Sequence, residues 1–363
     1  MSGPGSLNKC ELQRAATRAI NALGANDEAT LLRAVSVNLG TTFRDQADWW
    51  IENVQARKRK PIKASTAASW KSALKWINEQ IGDTPLSSVN NRVMRDSIVA
   101  PGSKKYSPKM LHNVVQVVKM VVASAKNDEG EARFPVVWDH DFIDLPVIDN
   151  QHRPTFTAGE VTKIVSKAEA RDAVLFALLA GSGLRIREAL ALQVGDVRDG
   201  VIVVKQALSA VTNKLQSPKT KNGVREVDLH TSISVMLKSV IGKRRSGFVF
   251  HNGSGDPLNQ RIALDQLHDV LSKIGVEPCG FHAFRRFRNT HLRKAHVPDR
   301  LTQYWMGHAP VSMTDNYDRV REDLEFRRFT AEQVGIGFIP PVARQPVSAV
   351  SPRVTPSSES VTI

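Results

Sequence analysis

"DAVLFALLAGSGLRIREALAL" occupies residues 172–192. Its first half is a continuous apolar run, far too short to span a bilayer. It predicts a helix buried in a core. Gly181 and Gly183 then make a turn. Arg185 follows the turn directly, and Glu188 stands one helical turn later, where a new helix begins.

The flanks extend this pattern. "TAGEVTKIVSKA" upstream carries a capping box, with Thr157 as cap and Glu160 three residues on. Downstream, "GVIVVKQAL" and "GVREVDLH" read as strands separated by the polar turn "SPKTKNG". After Gly247 helical patterns return, to about Glu332. Nearer the start, "TTFRDQADWWIENVQ" spaces Phe43, Ala47, Trp50 and Val54 as one helix face. The basic loop "RKRKPIK" follows. A second helix, "STAASWKSALKWINEQIG", is capped by Ser65 or Thr66, with Trp70, Leu74 and Ile77 on one face. A third runs from Ser107 and closes near Gly130. The stretch "FPVVWDHDFIDLPVIDNQHRPTF" has scattered prolines and no helical period.

The expected fold is therefore mainly α with a small β-sheet. Residues 1–40 form a short helical extension, on the strength of the amphipathic "LNKCELQRAATRAI". Residues 41–145 form a helical domain, 146–156 a linker, 157–338 a mixed α/β domain, and 339–363 a Pro/Ser-rich disordered tail.

A chain of 363 residues with 41% hydrophobic content has room for two cores. Its net charge of +14 points to a polyanionic partner, nucleic acid first. The two cysteines, Cys10 and Cys279, form no metal or disulfide pattern, which suits a reducing compartment. No signal peptide is read at the start. The expectation is a soluble, cytoplasmic, DNA-associated protein without a membrane segment.

The second half gathers unusual side chains. Arg185 and Glu188 follow the glycine turn. Lys219 and Lys221 sit in the polar turn. "FHAFRRFRNTHL" sets His282 and Arg285 three apart on one helix face, and "WMGHAPVSMTDNY" supplies His308 and, nine residues on, Tyr317. Arginine is always charged and grips phosphate oxygens in pairs. Tyrosine is a covalent nucleophile once cations help it ionise, and His and Lys move protons. No carboxylate cluster suits two-metal nuclease chemistry, and His282 and His308 lack a third ligand at metal spacing. The set suits metal-free transfer of a phosphodiester onto tyrosine. Singly, each residue has an ordinary structural explanation; order and spacing together are far more specific.

With these residues in hand, the sequence resembles the tyrosine recombinases, or phage-type integrases. The resemblance rests on "GLRIRE" at 183–188, "PKTKNGVREVDL" from Pro218, "HAFR" at 282–285, "GH" at 307–308 and Tyr317, and it covers about residues 155–330. Residues 41–130 resemble the family's core-binding domain less closely. The resemblance implies that Arg185 and Arg285 bind the scissile phosphate and that Glu188 supports Arg185. Lys219 protonates the leaving 5′ oxygen, with Lys221 competing for that role. His282 and His308 assist, and Tyr317 attacks to give a 3′-phosphotyrosyl link. No cofactor is expected. The partners expected are double-stranded DNA and further copies of the chain, as a tetramer on two paired sites.

Candidate backbone contacts to DNA are Lys58, Arg59, Lys60, Lys63, Lys71, Lys75, Lys104, Lys105 and Lys109. The segment "REDLEFRRFTAEQVGIGFI" holds Leu324, Phe326, Phe329 and Val334 with no evident core left for them, and is expected to dock on a neighbouring protomer. Three positions depart from the usual family pattern: Arg187, Arg286, and Asp228 where proline is frequent. A type IB topoisomerase and a non-catalytic DNA-binding protein stay open as other functions.

Overall fold

The computed structural model describes residues 41–59, 61–148, 153–209, 211–217, 223–308 and 320–341. Two compact units divide after Gln151. The expected N-terminal extension, Lys60, both turn lysines, Tyr317 and nearly all of the tail lie outside the described residues. Among the described residues, no helix is long and apolar enough to cross a membrane.

The first unit is built from three long helices: α1 (Phe43–Ala56), α2 (Ala64–Ile81) and α3 (Pro108–Ser124). Thr42 and Asp45 cap α1 reciprocally, each side chain accepting from the other's backbone N–H at 3.2 Å. Its apolar face buries Phe43, Ala47, Trp50, Ile51 and Val54, and Trp50 stacks on Trp70 of α2 at 5.0 Å between ring centroids. α3 begins with Pro108 behind its cap Ser107 and buries a run of valines from Val114 to Val122. A helical stretch over residues 91–102, π-wound from Met94 to Val99, buries Met94 and Ile98 between them.

Two helix boundaries differ from the sequence reading. α2 starts at Ala64 with no side-chain cap, so Ser65 and Thr66 fall inside its first turn. Ile62 packs on the core, and the chain turns helical as soon as Lys63 leaves it. α3 ends at Ser124, not near Gly130. There the Asn127 side chain accepts from the Glu131 backbone N–H at 2.7 Å, and Lys126 bridges Ala132, so a turn replaces the last helical residues. Of the candidate DNA contacts, Lys58, Arg59, Lys71, Lys75, Lys104, Lys105 and Lys109 are exposed, and Lys63 is half-buried.

The second unit is centred on α5 (Ala170–Ser182), which follows α4 (Ala158–Lys167). Asp172 to Ser182 are all buried, as the apolar run demands. Phe176 of α5 stacks on Phe284, and Phe156 packs on the same ring. Then come α6 (Ile186–Leu190), β1 (Val197–Arg198), β2 (Val201–Val204), β3 (Ala207–Leu208), β4 (Leu215–Gln216) and β5 (Arg225–Asp228). The main sheet is antiparallel in the order β1-β2-β5, with Val201 opposite Asp228 and Val204 opposite Arg225. β3 and β4 form a second, two-stranded sheet that the sequence reading did not anticipate. Strands of two residues are too short to show alternation.

Five more helices follow: α7 (Thr231–Ile241), α8 (Gln260–Lys273), α9 (His282–Lys294), α10 (Asp299–Met306) and α11 (Leu324–Val334). α11 finds a seat on its own unit, contrary to the expectation that no core was left for it. Its anchors are not the apolar residues the sequence singled out, except Val334, which packs on the core. Ala331, Ile336 and Phe338 are buried, while Leu324, Phe326 and Phe329 stay exposed. The main tie is Arg327. It donates to Asp228 through Nε at 2.8 Å and to Glu226 through Nη2 at 2.8 Å, and lies over the Tyr304 ring. Trp305 Nε1 donates to the same Asp228 carboxylate at 2.7 Å. This accounts for an acid where the family pattern favours proline: Asp228 is the buried counter-ion that fastens α11 and α10 to β5.

Removing one partner of a buried ion pair strands the other. Arg327→Met is expected to destabilise the protein by about 3 kcal/mol, read as a lower urea midpoint. An unchanged midpoint would show that the pair contributes nothing net.

Candidate active site

The site lies where three turns of the second unit meet. At the first, α5 ends in Gly183, whose left-handed φ of 71° redirects the chain into Arg185. At the second, α10 ends in Gly307, also left-handed at φ 64°, and delivers His308. The third is the start of α9, which carries His282 and Arg285.

Arg285 binds these turns together. Its Nη1 donates to the Gly183 carbonyl at 2.7 Å, and its Nη2 to the Met306 carbonyl and to His308 Nε2 at 2.9 Å. A guanidinium can only donate, so His308 Nε2 accepts, and the proton of the neutral ring sits on Nδ1. The glycines allow this closeness. A Cβ on Gly183 would meet the Met306 side chain, and one on Gly307 would lie 2.8 Å from the Arg225 guanidinium.

Arg185 donates through Nη1 to Glu188 Oε1 at 2.9 Å, and its backbone N–H to Oε2 at 3.0 Å. Arg185 and Glu188, read from the sequence as neighbours one helical turn apart, are thus hydrogen-bonded. Glu188 has a second partner that sequence reasoning missed. Arg225, fully buried, donates to both of its oxygens at 3.0 and 3.4 Å. The available signal was a charge at an inward position of "VREVD", where alternation places Arg225 on the same face as Val227.

The electrostatics follow from three guanidiniums around one carboxylate. Burial alone would raise the Glu188 pKa. The charge and hydrogen bonds of Arg225, then those of Arg185, outweigh it and hold the group below the usual carboxylate range. Burial, then the charge of Arg185, pushes Arg285 down to about 10, so it stays charged at neutral pH. His282 is lowered by desolvation first, then by Arg285, Arg286 and Arg185. His308 is lowered by desolvation, then by Arg285, Arg185 and Arg225. Both imidazoles remain exposed, as does much of Arg185, whose side chain is 41% accessible. The result is an open, positive surface with two exposed imidazoles, of a chemistry that suits an anion. Among the described residues, no group of three His, Cys, Asp or Glu side chains could hold a metal.

Arg185, Glu188, His282, Arg285 and His308 are thus brought together; Lys219, Lys221 and Tyr317 are not among the described residues. Two of the departures have structural uses. Arg187 donates to Gln260 at 2.9 Å, and Arg286 to the Pro154 carbonyl at 2.6 Å.

Comparison with known proteins agrees with this architecture. Residues 154–323 match the phage integrase family. A XerC-like tyrosine recombinase of Caldanaerobacter subterraneus subsp. tengcongensis is 29% identical over 191 residues, 45% of this chain and 49% of that protein. Tyrosine recombinase XerD of Corynebacterium glutamicum is 24% identical over 304 residues, 80% of this chain and 90% of that protein. The chain thus spans about half of the first relative and most of the second. In fold, it is similar to the Tn1549 transposon integrase solved with transposon right-end DNA, with a TM-score of 0.62, 21% identity, and coverage of 78% of this chain and 99% of that one. It is also similar to a lambda integrase tetramer solved on a Holliday junction, with a TM-score of 0.54, 16% identity, and coverage of 88% and 89%. The match to the phage integrase family thus falls on the second unit.

The lowered imidazoles make a prediction for the protein without DNA. His282 and His308 are expected to titrate below the ordinary imidazole value of about 6.5, so both are neutral at pH 7. The folded state then binds fewer protons than the unfolded chain just below that value, so acidification through it disfavours the fold. NMR titration of the two rings checks this; a midpoint at or above the ordinary value for either would contradict the charge arrangement.

Proposed function

We propose that the chain is a site-specific recombinase that cuts and rejoins duplex DNA through a 3′-phosphotyrosyl intermediate. The observation that carries this is the convergence of half-exposed Arg185 and exposed His282 and His308 around the buried Arg285, which is bonded to His308. Arg185 and Arg285 grip the scissile phosphate and neutralise charge that grows on its non-bridging oxygens. The Tyr317 oxygen attacks phosphorus; a P–O bond to tyrosine forms as the P–O5′ bond breaks. The leaving 5′ oxygen takes a proton from Lys219, or from Lys221 of the same turn. His282 and His308 hold the phosphate and relay the tyrosine proton. The phosphodiester energy stays in the tyrosyl link, and a second 5′ hydroxyl reverses the step on another strand. This chemistry calls on no metal or cofactor.

The exposed lysines and arginines of the first unit are proposed to contact the DNA backbone, positioning the helical domain over the core site. The organisation proposed is the one read from the sequence, with helical domain 41–145, linker 146–156 and catalytic domain 157–338, working in the cytoplasm on DNA. Assembly as a tetramer on two paired sites is supported by the exposed apolar face of α11.

On a nicked core-site duplex, the parent chain is expected to form an SDS-resistant adduct that survives EDTA, and Tyr317→Phe to bind DNA without forming it. Adduct in the Phe variant would sink the assignment of Tyr317. With sulfur in place of the bridging 5′ oxygen, the leaving group no longer needs a proton. Lys219→Ala should then recover its rate, and recovery by Lys221→Ala alone would exchange the two lysines.

Phe329 is 63% exposed on α11, clear of the Arg327 tie. Phe329→Ser is expected to leave single-site binding unchanged and to weaken paired complexes on native gels. Undiminished pairing would remove α11 from the proposed interface.

A further inference from the structure

We propose that Arg225 is a positioning residue for strand cleavage, holding the three segments that carry the proposed catalytic groups in one register. The proposal rests on the recombinase reading above. Arg225 opens β5, and its side chain is fully buried, so it cannot touch DNA. Its donors reach three separate places. Nη2 and Nη1 hold the two oxygens of Glu188, whose Oε1 also receives Arg185. Nε donates at 2.8 Å to the Trp305 carbonyl, in the last turn before His308. Nη1 donates at 3.1 Å to the Gly223 carbonyl, two residues after Lys221 and four after Lys219. The Gly307 turn lies directly against the guanidinium.

One rigid planar group therefore meets the arginine turn, Gly223 just after the lysine segment, and the histidine turn. A stabilising ion pair needs only the Glu188 contact; the two carbonyl contacts and the bare glycine face are what a positioning part requires. Lysine at this position keeps the charge but, as a compact ammonium, cannot bond in three fixed directions.

The test uses the full chain on the nicked core-site duplex, with parent, Tyr317→Phe, Arg225→Met and Arg225→Lys. Melting temperature, single-site DNA affinity and single-turnover cleavage are measured across pH. Both Arg225 variants are expected to bind DNA nearly as the parent does. Cleavage should fall about 100-fold in Arg225→Met, the scale of a misplacement near 1 Å, and less in Arg225→Lys. Arg225→Met should also move the acid limb to higher pH. The cations facing Glu188 are Arg185, Arg225 and Arg285. Without Arg225, Glu188 takes up a proton at higher pH and releases Arg185, so the rate falls on acidification at a higher pH than the parent's, whose fall is set by His282 and His308. If Arg225→Met does not fold, Arg225→Lys decides alone. A folded variant that cleaves within about twofold of the parent at every pH overturns the inference. So does a loss of cleavage that tracks lost folding and lost binding with no change in pH profile. Failure of the parent to form an adduct, or adduct in Tyr317→Phe, instead overturns the recombinase reading and is seen before Arg225 enters.

Discussion

A buried carboxylate among guanidiniums is the constraint on which the second unit depends. Glu188 sits at the start of α6, with one oxygen shared between Arg185 and Arg225 and the other held by Arg225 and the Arg185 backbone. A lone carboxylate there would be too costly to keep ionised, and Arg225 alone would be worse. Paired, they let a second cation, Arg185, stand half-exposed with its direction fixed. The surface ends up positive because the charge that neutralises it is used up below.

The same economy appears on the far side of the sheet. Asp228, three residues along β5 from Arg225, holds Arg327 and Trp305. β5 thus carries two buried charges: one serves the turns of the site, the other fastens the helix that follows it. The last turn of α10 matters for this reason. Its last turn gives a carbonyl to Arg225, and the Trp305 side chain in the same turn reaches Asp228.

How much of this the sequence disclosed depends on the range of each interaction. Pairs one helical turn apart, such as Arg185 with Glu188, leave a periodic trace. The apolar run of α5 announced its burial, and the capping box at Thr157 marked a helix start. Two of the three partners of Arg225 lie 37 and 80 residues away, and Asp228 meets Arg327 across 99. No periodicity reports such distances. The charges in "VREVD" were visible, but a strand of four residues does not reveal which face is covered. α11 was misjudged for a related reason: an arginine and small residues, not its phenylalanines, face inward. The β3–β4 sheet was too short to read, and the start of α2 was shifted by the anchoring of Ile62.

The contact between Gly307 and Arg225 also bears on how such a protein can change over generations. A side chain at 307 would collide with the guanidinium, and a left-handed φ penalises it again. Shrinking residue 225 first would make room, but it would leave Glu188 and the Trp305 carbonyl without their donor. Neither substitution is an acceptable first step for the other. The two positions form a ratchet that drift cannot turn one tooth at a time, so "GH" and the arginine of "VREV" should be inherited as a unit in lineages that share this packing.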